Sequence, residues 1–175
     1  MSIIQIISQV INGLGTLFNI IGISLKNKNK TLLFFIIGNT CVAIALGLLN
    51  ATAGMIVQIV FVVETIINYF LEKKKDFKYP WWLITIYVLI PCFILIITFS
   101  SPWDLLPMLS GIVFPLALIS KNFVLRLLNL VSVMAWIPYC LHFGQFVGAI
   151  GCMILAISNI VSIIRFDILK RKTLE

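Results

Sequence analysis

Seven apolar stretches, each long enough to cross a bilayer, fill most of this chain. They run over residues 3–25, 31–49, 55–71, 81–99, 105–120, 122–141 and 145–164, bounded by lysines, asparagines, glycines or prolines. A membrane-spanning helix needs roughly 17–25 apolar residues. In hydrocarbon each backbone N–H and C=O must be satisfied within its own segment, so such stretches become helices. The expected fold is an all-α polytopic membrane protein. Composition agrees: 61% of residues are hydrophobic and 11% charged, too little polar surface to coat a soluble core. The loops are short and leave no room for a soluble domain. The first span reads as part of the fold rather than a cleavable signal peptide, since it has no basic flank and runs straight on.

The charges set the expected orientation. All 13 Lys and Arg fall in the loops after the first, third and fifth spans or around the C-terminus; on the opposite side the only formal charge is Asp104. Under the positive-inside rule the N-terminus lies outside and the C-terminus in the cytoplasm. Topogenesis accounts for the net charge of +7, and no nucleic-acid partner is expected. The expected partners are the lipid bilayer and a small polar solute, with a homo-oligomer left open. Cys41, Cys92, Cys140 and Cys152 lack CxxC spacing and read as packing residues. No metal, cofactor or catalytic residue is expected: there is no HExxH, no Ser/His/Asp set and no Gly-rich phosphate loop. The single histidine, His142, reads as a surface residue or, more sharply, a pH-sensing gate.

A 97-residue shift lays the third span on the seventh. It brings Ile66-Ile67 onto Ile163-Ile164, and Gly47, Ala51 and Gly54 onto Gly144, Gly148 and Gly151. The first and fifth spans match more weakly at 96 to 98. The implied organisation is two parallel three-helix repeats, 1–75 and 102–175, joined by a linker helix in 76–101. Transporters built from repeats hold substrate between them near the midplane. At this shift Asn39 is equivalent to Trp136, Glu64 to Val161, and Asn159 to Val62.

Several motifs carry a family resemblance: Pro102-Trp103-Asp104-Leu105-Leu106-Pro107, Ala117-Leu118, Trp136, Asn159 and Ile163-Ile164-Arg165-Phe166. With these the chain resembles the YgjV-type bacterial inner-membrane proteins. Its 3+1+3 plan is similar to SWEET, PQ-loop and PnuC-type transporters, which implies movement of a sugar, nucleoside, vitamin precursor or amino acid. The Pro-Gln dipeptide of the PQ-loop is absent, so substrate identity does not carry over. From the SWEET-like pattern only Asn159 matches a substrate-contacting asparagine.

The polar residues inside the spans are the candidate site. Glu64 is the one acidic residue deep in a span, and an ionised carboxylate there must be paired, wet or protonated. It is a candidate substrate ligand or proton-coupling group, against the alternative of a carboxyl bonded to a neighbouring helix. Gln5, Gln9, Asn12, Thr16 and Asn19 recur at helical spacing on one face. They line a hydrated path or form a packing seam; both readings are open. Asn129, Ser132, Trp136 and Tyr139 share a face of the sixth span, where Trp136 either stacks on a flat ligand or packs in the core. Asn39, Gln58, Asn68 and Asn159 complete the set. Pro107, Pro115, Pro138, Gly13 and Gly15 are candidate hinges for alternating access, although static kinks are as common. The functional expectation is a small-solute transporter or facilitator. The alternative is a non-transport scaffold, sensor or lipid-handling protein.

Overall fold

The computed structural model describes residues 2–74 and 79–168. Seven helices are long and apolar enough to span a membrane, and no strand occurs among the described residues. They are α1 (Ile3–Ile23), α2 (Lys28–Leu48), α3 (Thr52–Leu71), α4 (Trp81–Thr98), α5 (Leu105–Ile119), α6 (Asn122–His142) and α7 (Phe146–Ile163). Each coincides with one expected span. The largest boundary differences are at α2, which takes in Lys28–Lys30 behind an Asn27 cap, and at α3, which starts at Thr52. A 3-10 turn, Pro102–Asp104, leads into α5, and a π-helical turn, Ile164–Ile168, follows α7.

Local chemistry explains the helix ends. Ser2 and Gln5 form a reciprocal capping box on α1, so Gln5 satisfies orphan amides at the helix start instead of facing the bundle. Before α5 the Asp104 carboxylate accepts from Ser100 N, Ser100 Oγ and Ser101 N at 2.9–3.0 Å. Pro107 is the third residue of α5, within the first turn, where an amide has no intrahelical partner in any case. It therefore does not break the helix. Pro91, Pro115 and Pro138 do lie inside their helices.

Six helices pack side by side in chain order: α1 on α2, α2 on α3, α3 on α5, α5 on α6, α6 on α7 and α7 back on α1. Helix α4 rests outside this ring against α3 and α5. It is the least buried of the seven, with 18% of it covered by the rest of the protein. Its apolar surface faces lipid, as a mostly apolar helix between two polar ends must.

The turns after α2 and α6 have the same geometry, but at a shift of 94 residues rather than 97. Asn50 and Gly144 carry the positive φ (57° and 69°). Ala51 N donates to the Leu46 carbonyl as Gln145 N does to that of Cys140. The buried faces follow the same shift. Thr31, Leu32, Phe35, Gly38, Asn39, Val42, Ala45 and Leu46 of α2 correspond to Leu125, Arg126, Asn129, Ser132, Val133, Trp136, Tyr139 and Cys140 of α6, all buried. Glu64 is thus equivalent to Ser158, Trp136 to Val42, and Asn159 to Thr65. The 97-residue shift differs from this one by three residues, nearly one helical turn, so it keeps roughly the same face. It also aligned glycines by type, whereas the left-handed position accepts Asn as well as Gly.

Candidate functional site

A cavity lies at the centre of the six-helix ring. Its wall is made by Asn12, Thr16 and Asn19 of α1, Phe35, Asn39 and Val42 of α2, Gln58 and Phe61 of α3, and Phe114 of α5. Asn129, Ser132, Val133, Trp136 and Cys140 of α6 and Cys152 and Leu155 of α7 complete it. Its volume is about 50 Å³, on a measure where one water needs roughly 10–15 Å³. The polar wall is incompletely paired. Asn12 Nδ2, Asn19 Oδ1, Asn39 Nδ2 and Gln58 Oε1 are buried and have no protein partner, an arrangement native interiors rarely tolerate.

The polar face of α1 divides along its length. Near one end Gln9 clamps the α6–α7 turn, donating to the Gly144 carbonyl at 2.6 Å and accepting from Val147 N at 2.9 Å. Beside it Gln145 Nε2 donates to Ser8 Oγ (2.5 Å), and Ser8 Oγ donates to the Ala45 carbonyl (2.7 Å). This upper part is a packing seam. Further along, Asn12, Thr16 and Asn19 reach the cavity. Thr16 Oγ1 donates to the Asn12 carbonyl (2.9 Å), and Asn19 Nδ2 to Asn39 Oδ1 (3.1 Å). Glycines bring the neighbouring helices this close: Gly148 sits on Asn12, Gly151 on Thr16, and Gly38 on Asn19 and Gly15. Gly13 stands near Val147.

Trp136 is 5% exposed and forms part of the cavity wall. Its Nε1 donates to Ser110 Oγ at 2.6 Å, and Ser110 bonds Ser132 at 2.5 Å. Phe61 and Tyr139 meet its ring edge-on. The indole is therefore fixed on both its apolar and its polar side. Tyr139 Oη in turn accepts from Gly54 N at 2.9 Å.

The remaining candidates lie behind the wall. Asn159 accepts from Asn129 Nδ2 at 3.3 Å and donates to the Leu155 carbonyl at 2.9 Å; it orients a lining residue without lining the cavity itself. Glu64, 2% exposed, is also absent from the wall. Both its carboxyl oxygens lack a protein partner. Its neighbour Asn68 donates to the Glu64 backbone carbonyl (2.7 Å) and to Tyr87 Oη of α4 (3.2 Å), which places Glu64 near the α3–α4 contact. Sequence reasoning missed Ser8, Ser110 and Gln145. Each is a small or terminal polar residue whose partner lies on another helix, the next one for Ser110 and a distant one for Ser8 and Gln145.

Ion pairs tie the basic end. Lys28 Nζ meets Glu72 Oε1 at 2.5 Å, and Tyr79 Oη donates to the same oxygen at 3.2 Å. Burial and the Glu72 carboxylate push the Tyr79 phenol above its ordinary range. Arg126, 3% exposed, reaches Asp167 Oδ2 at 2.8 Å and the Leu25 carbonyl at 3.2 Å, linking α6, the π-turn and the end of α1. Lys75, Lys78, Lys170, Arg171 and Lys172 lie outside the described residues. At the opposite end His142 stacks on Trp103, with centroids 4.5 Å apart and planes 16° apart.

No curated protein and no solved structure matches this chain. A family model described as a bacterial inner membrane protein matches residues 6–170. With seven apolar helices, six of them ringing a polar centre, the chain is a multi-pass member of the Imp-YgjV family of bacterial inner membrane proteins.

Proposed function

We propose that this protein is a small-solute transporter or facilitator that passes a small polar molecule through the central cavity by alternating access between two three-helix units. The observation that carries the reading is the cavity wall, where four amide side chains each leave a buried polar atom unpaired. A stable membrane bundle has no use for such atoms unless a polar guest or water meets them. The 94-residue recurrence of turns and buried faces supports two repeated units, with α4 as the linker. The Gln9–Gln145 network at one end and the Arg126–Asp167 and Lys28–Glu72 pairs at the other are suited to closing the two sides in turn. In the reading the basic end is cytoplasmic and the N-terminus outside. No catalytic step or cofactor is assigned.

The test is uptake into proteoliposomes, guided by a thermal-shift screen of sugars, nucleosides, vitamin precursors and amino acids. A stabilising solute should enter, and Gln58→Leu should reduce its entry. A solute that stabilises the protein but never crosses refutes transport and favours a sensor, scaffold or lipid-handling role. Glu64 belongs to this reading as a proton-coupling group near the wall instead of a ligand in it. Uptake unchanged by Glu64→Gln and by a pH gradient removes that part.

A further inference from the structure

The chemistry of the cavity wall narrows what it can hold. None of the described residues lining it carries a formal charge. The charged groups of the helices and their flanks lie elsewhere: Glu64 behind the wall, Lys28, Lys30 and the Arg126–Asp167 pair at the basic end, and Asp104 bonded to Ser100 and Ser101 ahead of α5. Helix dipoles offer no substitute. Every α-helix begins at an end of the bundle, so no helix N-terminus is available to receive an anion at the centre. An ion or zwitterion in this cavity would shed its water and find no counter-charge.

The unpaired atoms instead form a balanced set. Asn12 Nδ2 and Asn39 Nδ2 are donors, and Asn19 Oδ1 and Gln58 Oε1 are acceptors. The balance at the Asn19–Asn39 pair does not depend on which way the amides turn. Their mutual bond consumes one donor and one acceptor and leaves one of each. The apolar part of the wall includes Phe61 and the fixed indole of Trp136, which suit the faces of a flat ring. The space equals roughly three to five waters by the one-water measure.

We propose that the cavity takes an uncharged single-ring molecule with both hydrogen-bond donors and acceptors on its edge, an amide- or imide-bearing ring, and rejects ions and zwitterions. This assignment rests on reading the cavity as a substrate site, but it concerns binding and not movement. The test is titration calorimetry on the full-length protein in nanodiscs with two matched sets of probes. Benzamide is compared with benzoate and benzylammonium, and uracil with orotate. The neutral member of each set should bind more than tenfold tighter than its charged partners, a difference above about 1.4 kcal/mol. Asn39→Leu and Gln58→Leu should each weaken that binding. A charged member that binds equally or better, or neutral members that fail to bind, overturns the assignment; the wild-type comparison decides even where a variant does not fold. Flux of the neutral probes through proteoliposomes is read separately. Binding without flux leaves the substrate class standing and removes the transport reading.

Discussion

Replacing Gly38 by alanine tests how tightly α1 and α2 must approach to build the cavity wall. An added Cβ at position 38 would lie 2.2 Å from Asn19 Oδ1, 2.6 Å from Asn19 Cγ and 2.7 Å from the Gly15 carbonyl oxygen. The carbonyl is backbone and moves only if α1 moves. Asn19 can swing away only by giving up its 3.1 Å bond to Asn39. Overpacking of this kind costs about 1–3 kcal/mol, and the lost interhelical bond about 0.6–1.7 kcal/mol. Against these stands a gain of about 1 kcal/mol from alanine in a helix interior. The net expectation is a loss of about 1–3 kcal/mol. Gly13→Ala is the matched control. Its Cβ would meet only Val147 Cγ1, at 3.1 Å, the end of a side chain that can turn. That variant should be neutral or up to about 1 kcal/mol more stable. Equilibrium unfolding of detergent-solubilised protein in SDS should separate the two by about 2 kcal/mol, more than tenfold in the folded-to-unfolded ratio. If Gly38→Ala unfolds with Gly13→Ala, the close approach does not hold the wall together.

Asp167→Ala strands the buried Arg126 guanidinium, whereas Arg126→Met leaves a carboxylate that keeps some access to water. The first should therefore cost more in SDS unfolding, by about 1–3 kcal/mol. Ser110→Ala and Trp136→Phe each remove the 2.6 Å indole bond at about 1 kcal/mol. In a double-mutant cycle their effects should not add. In a cysteine-free background Asn12→Cys and Thr16→Cys should react with hydrophilic thiol reagents faster than Asn159→Cys, which sits behind Asn129; equal rates contradict the wall described above. Gly144→Asn should be tolerated because Asn50 already holds the equivalent left-handed position. Gly144→Val should lose at least about 1–2 kcal/mol to backbone strain, read by the same unfolding assay.

The helices were legible in the sequence because hydrocarbon imposes one requirement on every spanning segment, and apolar length reports it directly. Their ends were less so, since capping by Ser2 with Gln5 or by Asn27 draws on residues that also read as part of an inward polar stripe or as loop. The polar face of α1 was visible from its spacing, but its division was not. Gln9 and Asn12 are alike in chemistry and share that face. What separates them is that Gln9 meets the carbonyl of Gly144, more than a hundred residues away. Glu64 stood out in sequence by its charge alone. Its place behind the wall depends on how α3 is rotated against α4, which spacing along one helix does not encode.

The proposed repeat also bears on the asymmetry of the cavity. At a shift of 94, or 95 between α1 and α5, much of the wall falls into equivalent pairs: Phe35 with Asn129, Asn39 with Val133, Val42 with Trp136, Gln58 with Cys152, Phe61 with Leu155, and Asn19 with Phe114. In four of these pairs an amide corresponds to an apolar residue, and in a fifth a valine corresponds to the indole. The wall amides with an unpaired atom, Asn12, Asn19, Asn39 and Gln58, all belong to the first three helices, while the anchored indole belongs to α6. A two-fold frame lined identically would present the same groups twice and suit a symmetric guest. Here the unpaired amide atoms come from α1–α3 and the anchored ring from α6, so a guest should bind in a single orientation with its polar edge toward α1–α3. That is the arrangement expected if the repeat supplies the moving frame and divergence between its halves supplies the recognition.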